Sequence, residues 1–250
     1  MAVLPPLYAH RLGRVPGPDS SRAALAATLA GPVDGLETDV CLTADGRLAL
    51  LHDPWLARGT TLRGWANQTQ WSDLRAARLR DAHGVPTPET PMLLEELLDG
   101  TPRHLVVQVE VKAYGDAALA VQTAEAVCRL VARRPDRDRV EVLSFHAVAA
   151  ITAARRRARV RLVVWADFAP GALAAWARRN DVAGVCVEHF LLDRRHVDVL
   201  RDGGLSVTTG TIDDVELALR AAALGVEAIT SDAPAALLEA ATAAATPAAA

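Results

Sequence analysis

The sequence predicts a (β/α)8 barrel, the TIM-barrel fold, for three reasons. Apolar runs of strand length alternate with helical stretches about eight times in a chain of 250 residues. Strands that are apolar throughout indicate a parallel sheet covered by helices. An open doubly wound sheet usually carries a glycine-rich phosphate loop after its first strand, and Arg11-Leu12-Gly13-Arg14 does not supply one. We therefore expect polar residues at the carboxyl ends of the strands to form the functional site.

Each predicted strand is a short apolar run bounded by turn-forming residues. The strands are predicted over residues 7–10, 35–43, 48–51, 104–112, 140–145, 161–166, 184–188, 205–209 and 228–231. The helices are predicted over residues 22–30, 92–98, 116–134, 147–157, 170–179, 193–201 and 213–224. Asp19, Ser20 or Ser21 can cap the first helix, and Gly203-Gly204 and Gly225 end two others.

Residues 54–91 do not fit this alternation, because they mix Arg, Thr, Trp, Asn and Gln with little periodicity. The segment is long for a loop inside a compact barrel, so we predict a small functional insertion after the second strand. We treat residues 1–250 as one barrel domain, and we predict that the alanine-rich stretch 239–250 frays.

Composition and charge restrict the function. The net charge of -3 and the lack of a long basic run argue against a nucleic-acid partner. No apolar run reaches transmembrane length and the N-terminus lacks a signal-peptide pattern, so we expect no stable membrane insertion and a cytoplasmic location. Cys41, Cys128 and Cys186 are odd in number and far apart, which indicates buried free thiols in a reducing compartment. The composition does not predict the oligomeric state.

Three acids at strand ends are the first candidates for function. Glu37 and Asp39 stand two apart in a strand and therefore point to the same side, and Glu110 ends a strand expected nearby. Acids held together repel one another unless a cation or a proton lies among them. An all-oxygen set suits Mg²⁺ or Ca²⁺, with Mn²⁺ as a further choice. From the residues alone, the alternative to a metal site is that these acids are solvated at the strand ends and pair with arginines.

Two histidines and two cations stand beside these acids. His10 and His52 follow strand-like runs, and two imidazoles facing one substrate can divide general acid and general base duties near neutral pH. The alternative for each of these two histidines is a core or surface position with no chemical role. Arg11 and Lys112 supply fixed positive charge, which suits either a substrate phosphate or simple charge balance for the carboxylates.

Together, these motifs resemble the glycerophosphodiester phosphodiesterase family. The resemblance rests on Ala9-His10-Arg11-Leu12-Gly13, the run from Glu37-Thr38-Asp39-Val40 to His52-Asp53, Arg58-Gly59-Thr60-Thr61, Val109-Glu110-Val111-Lys112, Leu143-Ser144-Phe145 and Thr230-Ser231-Asp232-Ala233-Pro234. It implies a barrel with an insertion after the second strand. It also implies specific roles: metal binding for Glu37, Asp39 and Glu110, acid–base catalysis for His10 and His52, and phosphate binding for Arg11 and Lys112.

The reaction that the resemblance implies is hydrolysis of a glycerophosphodiester to sn-glycerol 3-phosphate and an alcohol. A lyase of the sphingomyelinase D type, which forms a cyclic phosphate, is one alternative. A metal-dependent sugar isomerase or epimerase on the same barrel is another, although Arg11 and Lys112 would then lack a purpose. A third alternative is a non-catalytic barrel that binds a phosphorylated ligand.

The chain departs from the family at the seventh strand of the barrel. The family's W-T-V-N run appears here as Thr208-Thr209-Gly210-Thr211, so Thr208 stands where an indole is usual. We expect Thr208 and Glu188, both at strand ends, to line the substrate pocket. Loss of the indole predicts a substrate that is bulkier or more polar than glycerophosphocholine.

Overall fold

Eight parallel strands close into a barrel in the computed structural model, which describes residues 4–14 and 17–245. The strands are β1 (Leu7–Ala9), β2 (Gly35–Leu42), β3 (Leu48–Leu50), β4 (Val106–Val111), β5 (Val140–Ser144), β6 (Arg159–Val164), β7 (Gly184–Glu188), β8 (Ser206–Gly210) and β9 (Ala228–Ser231). Consecutive parallel strands pair from β4 to β9, β2 pairs with β4, and β1 closes the ring between β9 and β2. The fold predicted from the alternation of strands and helices is confirmed.

Helices connect the strands and cover the outside of the barrel. They are α1 (Arg22–Leu29), α2 (Trp71–Leu74), α3 (Leu94–Gly100), α4 (Ala117–Val131), α5 (Ala147–Arg155), α6 (Pro170–Arg179), α7 (Arg194–Asp202), α8 (Val215–Leu224) and α9 (Pro234–Ala245). Side chains cap several of them, because a free backbone N–H of the first turn needs an acceptor. Ser21 accepts from the N–H of Ala24, and Asp214 accepts from the N–H of Leu217. No described helix has the length and apolar character needed to cross a membrane.

The main apolar core lies between the strands and the helices. Alternate residues of β2, such as Leu36 and Val40, face outward and are fully buried. Alanines of the helices, such as Ala120 and Ala124 in α4, pack against this layer. Small side chains on the inner helix faces allow the helices to lie close to the sheet, which explains how an alanine-rich sequence closes a well-packed barrel.

A polar network fills the N-terminal end of the barrel. The guanidinium of Arg161 donates to Glu141 at 2.7 Å and to the Ser206 hydroxyl at 2.6 Å, and the Gln108 amide donates to Glu141 at 3.0 Å. Arg161, Glu141 and Gln108 are buried. These groups occupy the floor of the barrel, although the buried Gln108 Oε1 has no hydrogen-bond partner. The open space lies at the opposite end, where the strands finish.

The β3 strand does not belong to the parallel barrel. It pairs with β2 in the antiparallel direction, with Val40 opposite Leu50. Residues 51–93 then build an ordered unit that contains α2 and a small apolar cluster of its own around Leu56 and Leu74. Residues 54–91, which show little periodicity, are thus held in place by local turns and by this small apolar cluster.

Several element boundaries differ from the sequence prediction by two or three residues; for example, β6 lies two residues earlier than predicted and α4 ends three residues earlier. The helix predicted over 92–98 begins two residues later, as α3. The stretch predicted to fray from residue 239 is helical to Ala245, since Leu237 and Ala241 bury their side chains against the barrel. Residues 246–250 of the predicted frayed stretch lie outside the described residues.

Candidate active site

Three buried carboxylates meet at the carboxyl ends of neighbouring strands. Glu37 and Asp39 lie two apart on β2, so both side chains point into the barrel. The register of the parallel pair sets Asp39 beside Glu110 of β4. One oxygen from each residue lies within 4.8 Å of the other two, and all three side chains are buried. The structure therefore brings together the three acids that the sequence indicates.

Burial and neighbouring charges control the ionisation of these acids. Burial raises the pKa of Glu37, and the Asp39 carboxylate raises it further. Burial also raises the pKa of Glu110, although the Lys112 ammonium opposes that rise. For Asp39 burial acts in the same direction, but Lys112 and other nearby cations outweigh it and lower the pKa. The cluster therefore combines one readily ionised acid with two acids whose ionisation calls for more positive charge.

Lys112 and Arg11 place positive charge directly against the acids. The Lys112 ammonium lies 3.0 Å from Asp39 Oδ1 and also donates to Glu110. Arg11 Nε lies 3.5 Å from Asp39 Oδ2, and neither of these two buried atoms makes a hydrogen bond. Burial lowers the pKa of Lys112, but the two carboxylates raise it above its usual value, so the side chain stays charged.

The donor set fits a divalent cation. Asp39 Oδ2 is buried and accepts no hydrogen bond, and Glu37 and Glu110 ionise reluctantly without further positive charge. When all three carboxylates are ionised, they carry one net negative charge together with Lys112 and Arg11, and a divalent cation would convert it into one net positive charge. Clustered carboxylate oxygens are typical ligands of Mg²⁺ and Ca²⁺. The resulting positive charge would suit a phosphate anion.

A left-handed turn after β1 directs Arg11 toward the acids. Arg11 and Leu12 have φ values of 50° and 64°, a conformation that costs a non-glycine residue of the order of 1–3 kcal/mol. The N–H of Arg11 donates to Glu37 Oε2 at 2.9 Å, and its guanidinium donates to Asp19 at 2.6 Å. The Thr28 hydroxyl donates to the Leu12 carbonyl at 2.8 Å. These bonds offset the backbone strain and hold the turn.

Asp232 orients His10. His10 Nδ1 lies 2.6 Å from Asp232 Oδ1, and an ionised carboxylate only accepts, so the proton is assigned to Nδ1. His10 Nε2 faces the acids, 4.0 Å from Glu37 Oε2. Burial lowers the pKa of His10, but the bond to Asp232 and the Glu37 charge outweigh it and raise the pKa. The sequence pattern assigns no role to Asp232. Its position directly after the last strand is nevertheless one where barrels place active-site residues.

His52 reaches the site by a different route from the predicted one. The sequence suggests that His52 ends a barrel strand, but β3 runs antiparallel to its neighbour. The returning chain donates the N–H of Leu51 to the carbonyl of Asp39 at 3.1 Å, and His52 therefore follows at the level of the acids. Asp53 Oδ2 lies 3.4 Å from His52 Nδ1. Each of the two imidazoles thus has a carboxylate beside its Nδ1 atom.

One cavity of about 440 Å³ collects these side chains at the carboxyl ends of the strands. Its lining from β1 to β4 is charged, and its lining from β5 to β9 is mostly apolar or weakly polar. The charged part comprises His10, Arg11, Glu37, Asp39, His52, Glu110 and Lys112. The other part comprises Leu143, Phe145, Val163, Cys186, Glu188, Gly210, Thr211 and Thr230.

The two residues predicted to line the pocket differ in their placement. Glu188 lines the cavity, and burial raises its pKa. Thr208 is only 1% exposed, its hydroxyl donates to the Val185 carbonyl at 3.4 Å, and it is not part of the lining. Because β8 extends to Gly210 and inward positions alternate along a strand, Gly210 lies at the cavity and Thr208 one layer deeper. This placement corrects the prediction for Thr208.

The cysteines are free, but they are not all buried. Cys41 and Cys128 are buried, whereas Cys186 is partly exposed and lines the cavity. Burial nevertheless raises the pKa of Cys186 to about 12. Its thiol is therefore protonated at neutral pH and is a poor nucleophile.

A second cavity of about 260 Å³ adjoins the first and shares Arg11 and His52 with it. Its walls carry charges of both signs, from the three arginines Arg14, Arg58 and Arg80 and the three aspartates Asp19, Asp53 and Asp81. The Arg80 guanidinium is held by backbone carbonyls, at 2.8 Å from that of residue 60 and 2.7 Å from that of residue 84. This side of the site is therefore polar and rich in hydrogen-bond donors.

Comparison with known proteins identifies a family. The model of the glycerophosphoryl diester phosphodiesterase family matches residues 10–236. Over 144 residues, 56% of this chain, the sequence is 33% identical to the Mycobacterium tuberculosis protein named "Probable glycerophosphodiester phosphodiesterase 2", and the match covers 47% of that protein. A Bacillus altitudinis glycerophosphodiester phosphodiesterase is 28% identical over 141 residues, 56% of this chain and 58% of the relative. The chain spans about half the length of the curated relatives it matches.

Solved structures share the fold. A phosphodiesterase from Oleispira antarctica, solved in complex with the product sn-glycerol-3-phosphate, superimposes with a TM-score of 0.81 and 24% identity, covering 96% of this chain and 97% of that one. A glycerophosphodiester phosphodiesterase from Parabacteroides distasonis superimposes with a TM-score of 0.78 and 21% sequence identity. The match covers 96% of this chain and 98% of that one. At these identities the likeness establishes the barrel architecture.

Proposed function

Because the chain belongs to the glycerophosphoryl diester phosphodiesterase family, we propose that it hydrolyses glycerophosphodiesters to sn-glycerol 3-phosphate and an alcohol. The observation that carries the proposal is one cavity that contains two carboxylate-paired imidazoles, three clustered acids and two cations. The complex of the Oleispira antarctica enzyme with sn-glycerol-3-phosphate supports the choice of product class.

The acids and cations bind the phosphodiester in this proposal. Glu37, Asp39 and Glu110 would hold a divalent metal ion, which would supply positive charge for the phosphate and acidify a substrate hydroxyl group. Lys112 and Arg11 are already fixed against the same acids, so their donors are in place for the non-bridging phosphate oxygens. Loss of either cation should therefore weaken binding of the phosphate and of its transition state.

The two imidazoles move the protons. One removes the proton from the attacking hydroxyl or water as the new bond to phosphorus forms, and the other protonates the alcohol oxygen as the old bond breaks. Asp232 accepts a hydrogen bond from His10 Nδ1, and Asp53 lies 3.4 Å from His52 Nδ1, so the Nε2 atom of each imidazole is left for the substrate. Acid–base catalysis of this kind typically contributes roughly 10²–10⁴-fold. Glu188, on the other wall, is placed to accept a hydrogen bond from a substrate hydroxyl.

The proposal is tested by turnover of glycerophosphocholine, followed by phosphorus NMR with metal-loaded and metal-stripped enzyme. We expect sn-glycerol 3-phosphate as the final product and loss of turnover on chelation. His10→Asn and His52→Asn should each lower kcat by at least about a hundredfold. His196→Asn is the matched control, because His196 also pairs with an aspartate, Asp193, but lies on α7 outside the cavity. Unchanged turnover in either cavity variant would remove that histidine from the reaction, and a cyclic phosphate as the end product would reassign the enzyme as a lyase.

A further inference from the structure

One arc of the cavity mouth is aromatic. Tyr114, Phe145, Trp165 and Phe190 follow the carboxyl ends of β4, β5, β6 and β7, which are consecutive neighbours in the barrel. Their exposed fractions are 49%, 40%, 63% and 67%. Aromatic residues make up only 4% of the sequence, so this row is not a consequence of composition. We call these four residues the aromatic rim.

The aromatic rim continues the apolar wall of the cavity. Leu143 and Val163 line the cavity on β5 and β6, and Phe145, a member of the rim, lines it at the end of β5. The Phe145 ring centre lies 5.5 Å from the Lys112 ammonium. An apolar path therefore begins beside the proposed phosphate-binding cation and runs outward over the rim. Exposed apolar surface that continues a concave site is typical of a binding surface.

The opposite arc of the site has the contrary character. The adjoining cavity beyond Arg11 and His52 carries the guanidinium groups of Arg14, Arg58 and Arg80. A phosphodiester seated between the two arcs would extend one substituent over apolar side chains and the other among charged groups of both signs. The division of the walls thus fits an amphiphilic diester better than a diester with two small polar substituents.

We propose that the aromatic rim binds an apolar chain of the substrate, so that the preferred substrates are glycerophosphodiesters whose glycerol carries one acyl chain, with an acylglycerol 3-phosphate and an alcohol as products. This inference rests on the proposed phosphodiesterase function, because the rim acts by holding the chain while the phosphate occupies the cavity. Trp165 and Phe190 are the specificity residues, since they are the most exposed members of the rim and contribute the largest uncovered apolar surface.

The size of the preference for acylated substrates follows from the apolar area that the acyl chain buries on the aromatic rim. A methylene group fully removed from water strengthens binding roughly fourfold, and one buried on a single face roughly twofold. The rim is an open surface, so we expect kcat/KM to rise roughly twofold for each methylene group that lies on it. The rise should level off once the chain extends past the outermost aromatic side chain.

The test compares glycerophosphocholine with monoacyl analogues of increasing chain length, on metal-loaded full-length enzyme and below the critical micelle concentration of each analogue. We expect kcat/KM to increase with chain length in the native protein. In the double variant Trp165→Ser and Phe190→Ser, the increase should be lost while turnover of glycerophosphocholine is unchanged. Leu238→Ser on α9 is the matched control, because it removes an exposed apolar side chain away from the mouth.

Several outcomes would overturn the inference. Turnover of glycerophosphocholine with no gain from the acyl chain would reject the role of the aromatic rim and leave the proposed function standing. No turnover of any substrate would reject the proposed function and the inference with it. A gain that appears only above the critical micelle concentration, or only with phospholipid vesicles, would assign the rim to a lipid surface. Self-association that the double variant abolishes would assign it to a second copy of the chain.

Discussion

Replacing Asp232 with asparagine should lower kcat roughly ten- to hundredfold, because it removes the charge that holds the His10 imidazole. In the structure, His10 Nδ1 donates to Asp232 Oδ1 across 2.6 Å, and this bond keeps Nε2 turned toward the acids. An asparagine side chain has nearly the same shape, but it is neutral and offers a donor group as readily as an acceptor. The Asp232→Asn protein should therefore fold normally with an imidazole that is less firmly oriented.

The magnitude follows from the energy of a hydrogen bond to a charged group. Such a bond contributes about 1.5–3 kcal/mol, and each 1.4 kcal/mol corresponds to a factor of ten in rate. Loss of the orienting bond should cost less than loss of the imidazole itself, for which the full acid–base contribution of roughly 10²–10⁴-fold is expected. Asp232→Asn should thus lie between the native protein and His10→Asn in kcat.

The assay separates orientation from binding. Because Asp232 acts through His10, Asp232→Asn should lower kcat and leave KM nearly unchanged, and nitrogen NMR of the imidazole should show a larger share of the other tautomer. Asp193→Asn is the matched control, since Asp193 also pairs with a histidine, at 2.7 Å, outside the cavity. A native kcat in Asp232→Asn, or an equal loss in the Asp193 control, would refute the proposed positioning role.

Three further predictions concern other parts of the site and the barrel. Lys112→Met should weaken competitive inhibition by inorganic phosphate by at least about tenfold, since a charge-assisted bond is lost; unchanged inhibition would remove Lys112 from phosphate binding. Glu141→Gln should lower the free energy of unfolding by up to about 3–5 kcal/mol in urea melts, because it leaves the buried Arg161 with only the half-exposed Glu227 carboxylate, at 3.5 Å. Burial opposes ionisation of Glu141, but Arg161 outweighs this effect and lowers the pKa of Glu141 below its usual 4.5. The pair therefore stabilises the native protein fully above pH 4.5 and progressively less as the pH falls through the native pKa. A native urea midpoint in Glu141→Gln would contradict this prediction. Gly210→Ala should lower the free energy of unfolding by about 1–3 kcal/mol, because the added Cβ would lie 2.7 Å from the Thr230 Cβ. A native Tm in this variant would contradict that crowding.

Local patterns account for the parts of the site that the sequence alone could reveal. Glu37 and Asp39 share a face because side chains alternate along a strand, and this rule holds wherever the strand lies. Glu110 joins them because a parallel barrel sets its neighbouring strand in register, with Asp39 beside Glu110. The closed barrel that brings these strands together follows from the alternation of strands and helices along the chain.

Long-range closure explains the part that local patterns could not reveal. Asp232 lies 222 residues from His10 in the sequence, and only the pairing of β1 with β9 brings the two together. His52 arrives on an antiparallel return strand, so its position does not follow from the rule that barrel sites lie at strand ends. The prediction for Thr208 rests on its match to the family's indole position, and that match does not reveal that β8 extends two residues further, to Gly210 at the cavity.

The most direct test of the central claim is metal-dependent phosphodiester hydrolysis by the native protein and by Asp39→Asn. Asp39 carries a buried oxygen, Oδ2, that accepts no hydrogen bond, and its carboxylate clusters with those of Glu37 and Glu110. Calorimetric titration with Mg²⁺, Ca²⁺ and Mn²⁺ should show binding to the native protein and a large loss of affinity in the variant, with a matching loss of glycerophosphocholine turnover. Full turnover by rigorously metal-stripped native enzyme, or equal metal affinity in Asp39→Asn, would contradict the proposed site.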